Sequence, residues 1–168
     1  MNKVAQNTFA LSRGKQSKNW PTRRCAREFV LQGLYQRRLT NNDEAAILAY
    51  LADLEGFGKA DNKLLLELLH GVLAHQATLQ ALVQEHIDRP FTELSPIESC
   101  ILLMGAFELK EHLQTPYRVI INEAIELTKG FGGTDGHKYV NGVLDKLAAK
   151  LRTAEIESTK KGKKVGIL

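Results

Sequence analysis

The stretch from Pro96 to His112, PIESCILLMGAFELKEH, leaves this chain the fewest options. Ser95 can cap a helix here, Pro96 suits its first position and Glu98 stands at the third, the pattern of a capping box. The turns after the cap are apolar nearly all the way round: Ile101, Leu102, Leu103, Met104, Ala106, Phe107 and Leu109. A helix with apolar residues on every side needs other elements packed around it, so this one belongs at the centre of a bundle. Only a narrow strip through Glu98, Glu108 and Glu111 is left to face water or a partner.

The flanking sequence supplies the helices to surround it. Thr22 can cap a first helix from about Arg23 to Arg38, with Ala26, Phe29, Val30, Gly33 and Leu34 inward. Asn41-Asn42-Asp43 makes a turn and cap for a short helix to Asp53, with Ala46, Ile47, Tyr50 and Leu51 inward, and Gly56-Phe57-Gly58 breaks it. Asp61 to Ile87 is helical again, with Leu65, Leu68, Val72, Leu79 and Leu82 on one stripe; Gly71 either kinks or splits it. Pro116 to Arg152 parses as helix, glycine turn, helix. Val119, Ile120, Ala124, Ile125 and Leu127 recur in its first half, and Thr115 can cap it. Gly130-Phe131-Gly132-Gly133 ends that helix, Thr134 or Asp135 opens the next, and Val140, Val143, Leu144, Leu147 and Leu151 form its stripe. All four prolines fall at helix boundaries and no segment alternates with period two. The chain reads as all-α, about seven helices.

A length of 168 residues suits one domain with a real core, and 43% apolar and 25% charged residues are ordinary for a globular protein. No apolar run reaches membrane-spanning length, and the polar, basic first twenty residues lack the apolar centre of a secretory signal, which points to the cytosol. Cys25 and Cys100, far apart and without metal spacing, read as reduced thiols. Charge is strongly segregated. Residues 1–27 hold seven bases and no acid, residues 150–168 hold six bases against Glu155 and Glu157, and residues 28–149 hold ten bases against seventeen acids. Basic ends on an acidic body suit nucleic-acid contact at the ends and a basic protein partner on the body. The domain is expected over 20–154, as sub-bundles of about 20–88 and 89–154, with basic disordered tails at 1–19 and 155–168.

Two helix starts carry charge of the wrong sign. Arg23, Arg24 and Arg27 open the first helix and Lys138 sits in the first turn of the last, where the macrodipole already places positive charge. An anionic ligand would relieve both, and Tyr139 beside Lys138 could stack a base. The plainer readings are a solvated arginine end and a solvated lysine beside a half-buried tyrosine. For the arginines the two readings stand level; for Lys138 the plainer one comes first. Chemistry for catalysis is missing. GFGGTDG at 130–136 follows a helix and holds Asp135 where a dinucleotide loop needs glycine, there is no phosphate-loop or serine-nucleophile motif, and His70, His75 and His86 lack metal spacing. Neither enzyme activity, a metal nor a cofactor is implied. Glu123 and Glu126 share a helix face and are read as solvated or linked to Arg118 or Lys129.

INEAIELTKGFGGTDGHKYVNGVLDKL resembles the C-terminal signature of the NusB family of transcription antitermination factors, and TRRCAREFVLQGLYQ and ELSPIESCILLMGAFEL resemble the same family in the same order, together spanning about Thr22 to Arg152. The resemblance implies two small helical bundles and a factor that binds boxA-type RNA of nascent ribosomal transcripts together with NusE, a ribosomal small-subunit protein. Other Nus factors and RNA polymerase would be reached indirectly, suppressing premature termination, and the free protein could form a homodimer. Carried over by position, Arg23, Arg24 and Arg27 become an RNA-backbone anchor, Asp135, Lys138 and Tyr139 a second RNA region, and Tyr35 and Glu98 the NusE-facing surface. Glu98 has a rival role in the capping box.

The chain departs from the family pattern in three places: Cys25 interrupts the arginine run, nineteen residues or so precede the motif, and a KKGKK tail comes after it. Two other readings compete. One is a helical protein-interaction scaffold that touches no RNA. The other is the RNA-binding part of an RNA methyltransferase, which would need a separate catalytic subunit.

Overall fold

The computed structural model describes residues 22–165, so the expected tail at 1–19 and the helix entry at Trp20-Pro21 lie outside the described residues. Eight α-helices occur there: α1 (Thr22–Thr40), α2 (Glu44–Ala52), α3 (Asn62–Ala74), α4 (Gln76–Gln84), α5 (Pro96–Glu111), α6 (Tyr117–Phe131), α7 (Gly136–Leu151) and α8 (Thr153–Val165). Short 3-10 turns at Phe57–Lys59 and Phe91–Glu93 complete the order, and no strand occurs among the described residues.

The apolar segment is the centre, as its composition requires. Every residue of α5 from Ser99 to Leu109 is buried, and α1, α3, α4, α6 and α7 all pack on it. α1, α2 and α3 form one small bundle and α5, α6 and α7 a second, joined through α5. Caps begin where the sequence places them: Asp43 accepts from the Ala46 N–H, Asp61 from Leu64 and Ser95 from Glu98. α6 starts one residue later than expected, with Pro116 rather than Thr115 at its N-cap.

Of the inward positions, Ala46 and Val119 are exposed instead, and three larger expectations change. The wet strip on α5 does not include Glu108, which is 2% exposed because Arg27 of α1 reaches it. Gly71 neither kinks nor splits the long helical segment; the break is at His75, between α3 and α4. Gly71 is instead where the Phe107 ring lies against the α3 backbone, and a Cβ there would sit 2.1 Å from its Cζ.

The third change is at the C-terminal end. Where an unfolded tail is expected from 155, α8 runs on to Val165, with its first turn anchored through Arg152. Its buried guanidinium donates to the carbonyls of Leu109, Glu108, His112 and Thr115 and pairs with Glu155. It thereby satisfies the Leu109 carbonyl, an orphan at the end of α5 that a capping residue or water must otherwise satisfy. Glu155 also accepts from the Tyr117 N–H, and Ile156 packs half-buried against the core.

Candidate nucleic-acid interface

The two helix starts that look alike in sequence are built differently. At the start of α1, Arg27 is 3% exposed and makes a two-pronged pair with Glu108, at 3.0 Å from Nε and 2.8 Å from Nη2. Burial works against charge on both groups. For Glu108 the bonds from His112 and Arg27 outweigh it and hold the carboxyl below its ordinary value; for Arg27 the Glu108 bond outweighs it and raises the guanidinium. Arg24 makes the same two-pronged contact with Glu123 of α6, 2.9 Å on each prong, and that bond is the main reason its guanidinium is raised. Glu123 is therefore linked to Arg24, not to Arg118 or Lys129; Lys129 pairs with Glu126. Arg23 is the most exposed of the three, with only a 3.6 Å contact to Asp61.

α7 starts in a looser setting. Asp135 is the N-cap residue, but its side chain makes no capping bond and meets Lys138 at 3.4 Å, both groups about three-quarters exposed. Tyr139 is held from the opposite side of the sequence: its hydroxyl donates to Asp88 at 3.2 Å, and the Arg89 guanidinium lies 5.2 Å above its ring. Burial first, then the Asp88 contact, raises the Tyr139 hydroxyl above its ordinary value, while the Arg89 bond draws Asp88 below its own. Lys138, Tyr139 and Lys146 line a groove of about 420 Å³ with Glu85, His86 and Asp88.

Arg24 borders a different groove, with Glu28, Glu123 and Lys129, so the six residues do not converge on one pocket. α6 connects them. Arg24 docks on Glu123, while the start of α7 packs at Thr128, about 7.5 Å further along the α6 axis. Tyr35 and Glu98 lie on the two helices that Arg38 joins, one turn beyond Tyr35, by donating to Ser99. The Glu98 carboxylate extends to the start of α7, where a Cβ on Gly136 would meet its Oε1 at 2.2 Å. That is a favourable place for an anion. Asp88 and Arg89 are absent from any sequence-level site. Asp88 stands 51 residues from Tyr139, and IDRP reads locally as a helix stop.

Among the described residues no group of His, Cys, Asp and Glu could hold a metal, and no helix is long and apolar enough to cross a membrane. Fold and site together define an all-helical protein offering an exposed cation and a braced aromatic at a helix start. Residues 24–149 match the NusB family model. The Transcription antitermination protein NusB of Dechloromonas aromatica (strain RCB) is 63% identical over 142 residues, covering 84% of this chain and 87% of that protein. T. maritima NusB superimposes with a TM-score of 0.68 at 26% identity, covering 77% of this chain and 92% of that one. A crystal structure of antitermination factors NusB and NusE in complex with dsRNA has the same fold, with a TM-score of 0.63 at 18% identity and coverage of 74% and 93%. The chain belongs to the NusB family.

Proposed function

We propose that this protein is a cytoplasmic transcription antitermination factor that binds boxA-type RNA of nascent ribosomal transcripts together with NusE. Other Nus factors and RNA polymerase are engaged through that complex, and the free protein can pair with itself. The observation that carries the reading is the start of α7. Tyr139, braced by Asp88 and Arg89, stands next to exposed Lys138 and offers an unpaired base a stacking face beside a cation. It lies inside the stretch shared with antitermination proteins.

Lys138, Tyr139 and Arg23 make the RNA contacts, with Asp135 setting the position of Lys138 and Arg24 at the edge. Arg27 serves by holding α1 on α5 rather than by touching phosphate, since its fork is filled by Glu108. Tyr35 and Glu98 face NusE. Because Glu98 reaches the start of α7, partner and RNA would share a border, so binding one would order the surface for the other.

The test is fluorescence anisotropy with a boxA-type RNA, with and without NusE, at two salt concentrations. Tight, sequence-selective binding that NusE strengthens is the expected result. Binding that ignores sequence and vanishes with salt would overturn it. The scaffold reading draws on one specific observation, the withdrawal of Arg24 and Arg27 into internal pairs. NusE binding with no RNA effect would favour it.

A further inference from the structure

We propose that α8 is a second RNA-backbone contact, a basic arm that extends the path of the strand beyond the helical body shared with the family. This rests on the protein being an RNA-binding factor. The helix begins past residue 149, where the family match ends. Its first turn is fastened by Arg152, Glu155 and Ile156, and from Glu157 to Lys164 every residue is exposed. A helical stretch that covers no core has no packing reason to continue, and four of its residues are Lys160, Lys161, Lys163 and Lys164. At about 100° per residue these lysines fan over less than half of the helix circumference. No acid comes after Glu157, and no ion pair among the described residues involves the four. Cations at a helix C-terminus do suit the macrodipole, but that effect falls off within the last turn and needs fewer than four.

The base of the arm lies beside a cation already assigned to RNA. Arg23 and Lys63 border a groove of about 470 Å³ that is also lined by Asp61, Glu67, Thr115 and Pro116. The Thr115 carbonyl accepts from Arg152 at 3.0 Å, and the next residue but one, Tyr117, donates to Glu155 of α8 at 3.0 Å. The lysine fan therefore springs from the same end of the molecule as Arg23. Lys138 stands at the other end of α7, a helix of 16 residues and so about 24 Å long. Cations at both ends of an acidic body fit a strand that crosses it rather than one held at a point. Phosphate is the group such a flexible, exposed lysine set recognises, without regard to base.

The experiment compares the unmodified protein with a variant carrying Lys160→Gln, Lys161→Gln, Lys163→Gln and Lys164→Gln. Each is titrated across salt with a short boxA-type RNA and with the same RNA extended by oligouridine at either end. On an extended RNA the variant should lose affinity, and its log–log salt slope should fall by about 0.7 per lysine in contact, approaching 3 for all four. On the short RNA the two proteins should agree. A second variant with arginine at the same positions should restore the slope, and circular dichroism separates loss of charge from loss of helix. Equal slopes for the lysine and glutamine proteins on both extended RNAs would overturn the proposal while leaving the boxA reading intact. Loss of binding to polyglutamate with an unchanged RNA slope would also overturn it, assigning the fan to an acidic protein. No binding of either RNA by the unmodified protein would overturn both readings.

Discussion

The starts of α1 and α7 present the same problem, a cation where a helix already carries positive charge, and solve it by different means. At α1 the answer is internal. Arg27 and Arg24 find carboxylates 81 and 99 residues away in sequence, so the arginine cluster works largely as a clamp between α1 and the α5–α6 pair. At α7 the distant carboxylate that arrives, Glu98, stands against Gly136, while Lys138 pairs with Asp135 one turn away and the neighbouring tyrosine draws support from Asp88. A charge opposing a dipole is thus evidence of a partner, and only the fold says whether the partner is a carboxylate inside or an anion outside.

The largest effect should come from breaking the clamp. Arg27→Ala leaves the buried Glu108 carboxylate with only His112 beside it, a loss of about 3 kcal/mol, the low end for a broken buried pair. The urea midpoint should drop accordingly, while RNA affinity of the folded fraction stays within about twofold. A specific loss of RNA affinity with unchanged stability would return Arg27 to the binding surface. Acid probes the same pair. The Glu108 carboxyl is depressed below its ordinary 4.5, so its contribution is complete above that value and is lost as pH falls through the lower folded one. Stability should hold from neutral pH to about 5 and fall below about 4.5, and Glu108→Gln should flatten that acid limb.

Next in size is Tyr139→Ala. Loss of a stacked base costs about 1–3 kcal/mol, a drop in RNA affinity of about five- to 150-fold, with the helical circular-dichroism signal retained. A melted signal would make Tyr139 part of the core, and the contrast between the two helix starts would disappear.

How much of this could be read in advance depends on the range of the interaction. The centrality of α5, the caps at Asp43 and Ser95 and the stripe of α7 arise from neighbours within a few residues, and they were legible; on α6 the stripe holds at Ile120, Ala124 and Leu127, whereas Val119 is exposed and Ile121 is buried in its place. Hydrophobic period and cap chemistry are local signals. Glu108 on the wet strip, Gly71 as a helix breaker and the unfolded tail from 155 failed for the converse reason. Each involves a contact with a distant part of the chain: Arg27 on Glu108, Phe107 on Gly71, and Arg152 on carbonyls at the end of α5 and just beyond it. Candidate site positions stood out by type, whereas the division of labour among the arginines and the brace on Tyr139 depend on pairs that no local pattern reports.

The smallest expected effect is also the sharpest discriminator. Lys138→Ala removes an exposed cation from a first helical turn, with only a surface contact to Asp135 to lose. Stability should therefore stay level or rise by up to about 0.5 kcal/mol. If Lys138 meets a phosphate, the same change should lower the salt slope of RNA binding by about 0.7. Arg24→Ala should do the opposite, weakening the fold by about 1 kcal/mol through the lost Glu123 pair and leaving the slope nearly unchanged. Opposite signs in the two variants would confirm that one helix start is spent on the fold and the other kept for a ligand. A matched loss of stability in both, with equal slopes, would mean that α7 begins as α1 does and that its lysine answers to the protein alone.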